Sequence, residues 1–364
     1  MSRLSFSPAL CSGMKAVVIS KQVPHGTPVA SVVEFRTDWP DVGAPGAGQA
    51  RVRTLAAALN HLDLWVGHGV PGISITYPCI SGSDACGVVE SVGPGVDASW
   101  VGKRVILNAS SDMTPLPGPT EPPRSSLAPA YELIGEHHQG ALAEAFIAPV
   151  SNLQAIRDDQ DPAEAAAYGL TFLTSYSMVI GKAGLRPGQT VLVTGIGGGV
   201  ALASMAIARN HGCPVAVTSR HQWKLDKAKE LGADFCVLDS GQDWSKEVRA
   251  WTKGRGVDLA VDSSGKATHL KCIKSLARGG AYVTPGCTSG PDATTDLARI
   301  FWNQLRILGS TMGTNAEFAE LAALYRGGRL KPIVDKVFAA EKGAEAYARL
   351  EASEQFGKIV VRFA

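Results

Sequence analysis

Residues 190–201 read Thr-Val-Leu-Val-Thr-Gly-Ile-Gly-Gly-Gly-Val-Ala, an apolar run that breaks into glycine and leads to an alanine-rich helical pattern, Leu202 to Arg209. A short apolar run bounded by turn residues reads as a strand, so the order is strand, glycine turn, helix. Gly195 permits a tight turn, Gly197 or Gly198 lets backbone N–H groups approach a ligand, and Ala201 keeps helix and strand close. The helix N-terminus adds partial positive charge, so Gly195, Ile196, Gly197, Gly198, Gly199 and Val200 are expected to hold a pyrophosphate, and with it a dinucleotide. The competing reading is an ordinary strand-to-helix turn of an α/β fold.

The surroundings favour the ligand. Thr190–Thr194, Pro214–Thr218, Phe235–Leu238, Val257–Val261, Gly280–Thr284 and Arg306–Gly309 are short and mostly apolar throughout, as strands buried on both faces of a parallel sheet are. Helical segments such as Leu202–Arg209 and Lys224–Leu231 fall between them, which makes a doubly wound α/β unit. At the end of the second strand an NAD site places a carboxylate for the ribose 2′-hydroxyl. Here Thr218, Ser219 and Arg220 stand there, with Lys224 one turn on. A carboxylate repels a 2′-phosphate whereas a hydroxyl and two cations bind it, so NADPH is the expected cofactor. Arg220 and Lys224 as solvated charges at a helix start are the alternative.

Before this unit, from Met14 to about Val150, the runs Lys15–Ile19, Ala50–Thr54, Cys86–Val92 and Arg104–Leu107 alternate with Gly, Pro, Asn and Asp turns, the pattern of a mainly antiparallel β domain. Within it, Asn108 to Pro129 holds six prolines and should be a surface excursion. A helical pattern begins at Pro162, and the last fifty residues supply a helix (Ala316 to Tyr325) and a strand (Lys358 to Arg362) expected to rejoin the first domain. The expected divisions are residues 14–167, 168–314 and 315–364.

With 45% apolar and 19% charged residues and a net charge of +2, the chain is an ordinary globular one without a clustered basic surface for nucleic acid or an anionic membrane. It lacks the roughly 18 uninterrupted apolar residues of a membrane span and the order of a secretory signal, so a cytoplasmic protein is expected, with residues 1–13 a loose extension. Seven scattered cysteines suit buried thiols better than a disulfide framework.

The ordered segments Met14–Val18, Asn60–Asp63, Gly82–Gly93, Gly102–Val105, Gly140–Glu144, Leu170–Tyr176, the glycine turn, Lys227–Asp234, Gly254–Asp258 and Phe356–Val360 resemble the medium-chain dehydrogenase/reductase superfamily, and in it the zinc-independent quinone oxidoreductase-like and alcohol dehydrogenase-like members. The resemblance spans nearly everything from Met14 to Ala364. It implies a GroES-like β catalytic domain and a Rossmann nucleotide-binding domain, with the substrate in the cleft between them.

Departures from the family pattern bear on chemistry. Zinc-dependent relatives carry Cys where Asn60 stands, a His-Glu pair where Ser83-Asp84 stands, and Cys or a carboxylate near Gly169 or Leu170. Asp84 alone supplies too few of the four donors that zinc takes, so no catalytic zinc is expected. Nor does the stretch after Asn108 hold the four cysteines of a structural zinc. His61, His68, Cys79, Cys86, His137 and His138 lack the short spacings of a rebuilt metal site.

The resemblance places Asn60, Asp63, Ser83 and Asp84 beside the nicotinamide as catalytic candidates, with Asn60 donating to a substrate oxygen through its amide. It places His61 and Thr174 among the cofactor contacts, and Gly286 and Thr311, which follow the fifth and sixth strands, stand at the carboxyl ends where open sheets bind their ligand. The relatives' proton-relay hydroxyl falls at Leu62, which transfers no proton. Trp65 and Tyr77 are candidates to wall the pocket, with Tyr77 a candidate general acid, although a large aromatic beside a β domain is more often core. Lys358 is read as structural or a distant pyrophosphate contact outside the site. Without zinc, an acceptor that is already electrophilic is the easier substrate. The favoured function is NADPH-dependent reduction of a quinone or activated double bond. A zinc-less NADP-dependent alcohol or aldehyde dehydrogenase and a non-catalytic NADPH-binding protein are the alternatives. A homodimer or homotetramer pairing through the edge strand Arg306–Gly309 is expected.

Overall fold

The computed structural model describes residues 13–111, 126 and 131–363. The expected extension before Met14 and most of the proline-rich excursion lie outside the described residues.

Six parallel strands form one sheet in the order Phe235–Leu238, Val215–Ser219, Val191–Val193, Val257–Val261, Leu276–Thr284, Arg306–Gly309. The first strand in sequence lies centrally, with the second on one side and the fourth on the other. That reversal opens a crevice at the carboxyl ends, where doubly wound sheets take their ligand. The three residues of Val191–Val193 and the five of Val215–Ser219 are all buried, which is why they read as unbroken apolar runs. Arg306–Gly309 differs. It is the outermost strand and largely exposed, so burial on both faces does not extend to it. Beside it in sequence, the helix Leu297–Asn303 exposes Leu297, Phe301 and Trp302 by 71%, 71% and 69%.

A second, seven-stranded sheet runs Leu153–Ala155, Arg104–Leu107, Ala85–Val92, Gln49–Ala58, Lys358–Arg362, Val334–Ala339, with Ala145–Pro149 also on Gln49–Ala58. Its pairs are antiparallel except the last. Gln49–Ala58 outlasts the apolar run read from Ala50 to Thr54 and alternates, with Val52, Thr54 and Ala56 inward, as a strand with one core face should. A three-stranded sheet, Val33–Trp39, Met14–Ile19 and Cys79–Ile80, completes this β-rich part.

The terminal strand Lys358–Arg362 sets Val360 opposite Ala58 and lies inside the seven-stranded sheet. Just before it, Gly357 N–H donates to Gly197 O of the glycine turn at 2.9 Å, and Leu59 N–H donates to Ile359 O at 2.9 Å. These bonds bring the chain's end against both walls of the cleft. The six cysteines among the described residues are free. No helix among them is long and apolar enough to cross a membrane.

Candidate functional site

A cleft of about 740 Å³ runs from the carboxyl ends of the parallel strands to the start of the helix His61–His68. The expected cofactor residues His61, Thr174, Gly195, Ile196, Gly198, Gly199, Val200, Ser219, Arg220, Lys224, Gly286 and Thr311 all line it. Gly197 does not line it but shapes it from behind.

At the dinucleotide end the backbone explains the glycines. Gly195 and Gly197 have φ of +65° and +114°, conformations that L side chains rarely adopt. A Cβ on Gly197 would sit 2.7 Å from Lys224 Cδ, and one on Gly199 would sit 2.7 Å from Thr171 Cγ2. The helix Gly199–Asn210 starts without a side-chain cap, because Gly198 is its N-cap, so its first N–H groups are open to an anion. This cradle fits a pyrophosphate. Beyond it, Ser219 ends its strand in the cleft and Arg220 is exposed beside it. Lys224 is buried and its Nζ donates to Ser353 O at 2.8 Å, while burial lowers its pKa. At the end of the next strand Asp239 is neutralised by Lys271 at 2.8 Å.

The other end is built around one buried network. Asp84 Oδ2 accepts from Lys358 Nζ at 2.8 Å and from Asn60 Nδ2 at 2.9 Å, and its Oδ1 accepts from Leu170 N–H at 2.5 Å. Lys358 Nζ also donates to Asn60 Oδ1. Asn60 and Lys358 line the cleft; Asp84, wholly buried, stands behind them. Lys358 is thus part of the site, contrary to its placement from sequence. An ammonium has three donors. Two have acceptors within the chain. The Asn60 amide, read from sequence as a donor to substrate, is turned instead to Asp84 and, at 3.4 Å, to Ala58 O.

Asp63 and Ser83 need correcting as candidates that touch substrate. Both are fully buried and neither lines the cleft. Asp63 Oδ2 accepts from Asn60 N–H at 2.6 Å and its Oδ1 from Gly82 N–H at 2.8 Å, so its carboxyl ties the helix start to the Gly82 turn. Burial pushes its pKa up to about 6 against the pull of those donors. Ser83 Oγ donates to Ile134 O at 2.7 Å. Asp63, Ser83 and Asp84 act on the cleft through what they position. Tyr77 lies outside the cleft with its hydroxyl on Val66 O, so it is not placed to protonate a substrate there.

Leu59, Leu62, Trp65, Leu133 and Leu170 make the wall at this end apolar. Burial lowers the His61 pKa, and the ring meets Trp65 edge-on at 5.6 Å. Sequence reasoning missed two polar groups here, Tyr131 and Glu136. They follow the proline-rich stretch in a turn of no recognisable spacing. Among the described residues the Tyr131 hydroxyl is buried without a hydrogen-bond partner, and burial pushes the Glu136 carboxyl up to about 7.

Zinc does not suit this arrangement. Lysine offers no lone pair while protonated, and the Asp84 oxygens already accept three donors. No three of His, Cys, Asp or Glu gather to hold a metal among the described residues.

Comparison with known proteins agrees with the fold. Residues 46–158 match the family described as alcohol dehydrogenase GroES-like domain, and residues 199–326 match that described as zinc-binding dehydrogenase. The chain therefore belongs to the medium-chain dehydrogenase/reductase superfamily of oxidoreductases, which bind a nicotinamide cofactor. Its relatives differ in chemistry. It is 38% identical to an NAD-dependent alcohol dehydrogenase of known crystal structure, with a TM-score of 0.87 over 96% of this chain and 100% of that one. It is 29% identical to the zinc-type alcohol dehydrogenase-like protein YogA of Leptosphaeria maculans, across 87% of this chain and 91% of the relative. It is also 29% identical to a 2-haloacrylate reductase of a Burkholderia species, across 88% of this chain and 92% of the relative.

Proposed function

We propose that the protein is an NADPH-dependent, metal-free reductase of quinones or α,β-unsaturated carbonyls. One observation bears most of the weight: the place where zinc-dependent relatives gather metal ligands holds the Lys358 ammonium between Asn60 and Asp84. Bound NADPH supplies the hydride. The glycine turn and the N-terminus of Gly199–Asn210 hold the pyrophosphate, and Ser219, Arg220 and Lys224 receive the 2′-phosphate. Thr174, Gly286 and Thr311 border the nicotinamide end of the same cleft. Asn60 and Asp84 fix the Lys358 ammonium, whose third N–H is free to meet an oxygen on which negative charge develops. The apolar wall of Leu59, Leu62, Trp65 and Leu170 excludes water and suits a conjugated acceptor. A relative named for reduction of a haloacrylate, itself a conjugated alkene, agrees with that class.

The NAD-dependent alcohol dehydrogenases among the relatives support a second reading, oxidation of an alcohol or the reverse reduction of an aldehyde. Leu62 in the cleft speaks against it, since no hydroxyl stands there to relay the alcohol proton. The exposed edge Arg306–Gly309 with Phe301 and Trp302 nearby supports self-association of a cytoplasmic enzyme through this face.

The test is consumption of NADPH or NADH by the purified protein over quinones, enones and aldehydes, with metal analysis of the same sample. Turnover of quinones or enones with NADPH at substoichiometric zinc is expected. Stoichiometric zinc, or activity confined to NAD⁺ and alcohols, refutes the reading. Tight NADPH binding without turnover of any acceptor leaves a binding protein.

A further inference from the structure

Reduction of a conjugated double bond needs a proton as well as a hydride, and the cleft holds few groups able to give one. Of those at the apolar end, the His61 ring is held toward its neutral form by burial, and burial makes the Tyr131 phenol a weaker acid than usual. Lys358 is committed to balancing Asp84. Glu136 remains.

Its surroundings favour the carboxylic acid. The side chain is 7% exposed and lines the cleft. His137 Nδ1 lies 3.3 Å from Oε1, and that nitrogen already accepts from Leu133 N–H at 3.2 Å. That nitrogen therefore presents a lone pair and no proton, and partial burial lowers the pKa of the ring. In the same turn His138 is paired with Glu132 at 2.5 Å. Facing the same cleft are Tyr131, His61 and Lys358, the last already matched to Asp84. Among the described residues no cation or N–H is bonded to the Glu136 carboxyl, and burial pushes its pKa up to about 7.

The backbone holds this acid in place. Gly135 has φ +92°, and a Cβ there would lie 2.6 Å from Ser83 Oγ and 2.8 Å from the Gly82 carbonyl carbon. Only glycine lets the turn press against the segment that ends in Asp84. Ser83 Oγ clamps it by donating to Ile134 O at 2.7 Å.

We propose that Glu136 is the catalytic acid of the reduction, an inference that rests on the reductase reading above. The substrate's β-carbon gains the hydride, and the π pair moves toward the carbonyl as an enolate. The enolate α-carbon then takes the Glu136 proton, forming the new C–H bond as the O–H bond breaks. The carboxylate left behind is reprotonated from water.

Full-length wild type and Glu136→Gln are compared with NADPH and 2-methyl-2-cyclohexen-1-one. The expected result is a kcat lower by about a hundredfold or more in the variant. The wild-type profile should fall on the basic side near pH 7, and that limb should vanish in the variant. The wild type should make one enantiomer of 2-methylcyclohexanone and the variant a mixture, since water protonates either face. Infrared spectra of the protein without substrate should show a carboxylic C=O band near pH 7 that Glu136→Gln removes. Wild type that turns over the enone beside a variant of unchanged rate and product handedness overturns this inference alone. Wild type that reduces no enone or quinone overturns the reductase reading and this with it. Should the variant fail to bind NADPH, the wild-type profile and infrared band decide, and the lack of either overturns the role of Glu136.

Discussion

Replacing Lys358 by methionine removes the only cation among the described residues that pairs with the wholly buried Asp84, and keeps most of the side-chain volume. Breaking one partner of a buried ion pair costs about 3–5 kcal/mol, because the remaining charge is left uncompensated. Asp84 would keep the Leu170 N–H and the Asn60 amide as donors, which puts the cost near the lower end, about 3 kcal/mol. The two side chains are 5% and 0% exposed, so solvent screens little of it. At roughly 2–4 °C per kcal/mol for a domain of this size, the melting temperature should fall by about 6–12 °C. Scanning calorimetry on wild type, Lys358→Met, Asp84→Leu and the double variant measures the coupling directly. The double variant removes both charges and strands the Asn60 amide and the Leu170 N–H, so it should be more stable than the summed single effects by about 2 kcal/mol or more. A Lys358→Met shift under about 2 °C, or single effects that simply add, refutes the buried pair as the organising charge of the site.

Three other outcomes follow from separate features. Arg220→Asp places a carboxylate beside Ser219, and the ratio of kcat/KM for NADPH over NADH should drop by about tenfold or more; an unchanged ratio removes the 2′-phosphate from this corner. Burial lifts Glu136 from its ordinary 4.5 to about 7, so the folded state keeps a proton that the unfolded chain loses, and stability should decline as pH rises between those values. Relative to Glu136→Gln, wild type should lose about 3 kcal/mol across that window in urea titrations, and parallel curves would show an unburied carboxyl. Trp302→Glu charges the exposed face beside the sheet edge, and sedimentation should show smaller assemblies than wild type; identical sedimentation places any interface elsewhere.

The parallel sheet was legible because its physics is local. Strands buried on both faces leave unbroken apolar runs, and positive φ at Gly195 and Gly197 leaves glycines in the text. The substrate end was legible only in part. Asn60 and Asp84 stood out because related proteins place ligands there, but the sequence does not show that the Asn60 amide is claimed by Asp84. Its other partner, Lys358, lies 298 residues away, and no spacing announces a contact made by sheet closure. The 60–63 segment is the capped start of the helix His61–His68, with Asp63 rather than the usual Glu reaching back to the cap. Glu136 and Tyr131 gave no signal because burial, not residue type, sets their chemistry.

The place of Lys358–Arg362 inside a sheet, rather than at its margin, has a consequence for how the protein is made. A ribosome releases these residues after every other strand of that sheet has emerged. Until then Gln49–Ala58 and Val334–Ala339 are parted by an unfilled slot, Asp84 has no counter-ion, and the glycine turn lacks its bond from Gly357. Until Lys358–Arg362 has emerged, the nascent polypeptide thus carries an open sheet for chaperones and proteases to find.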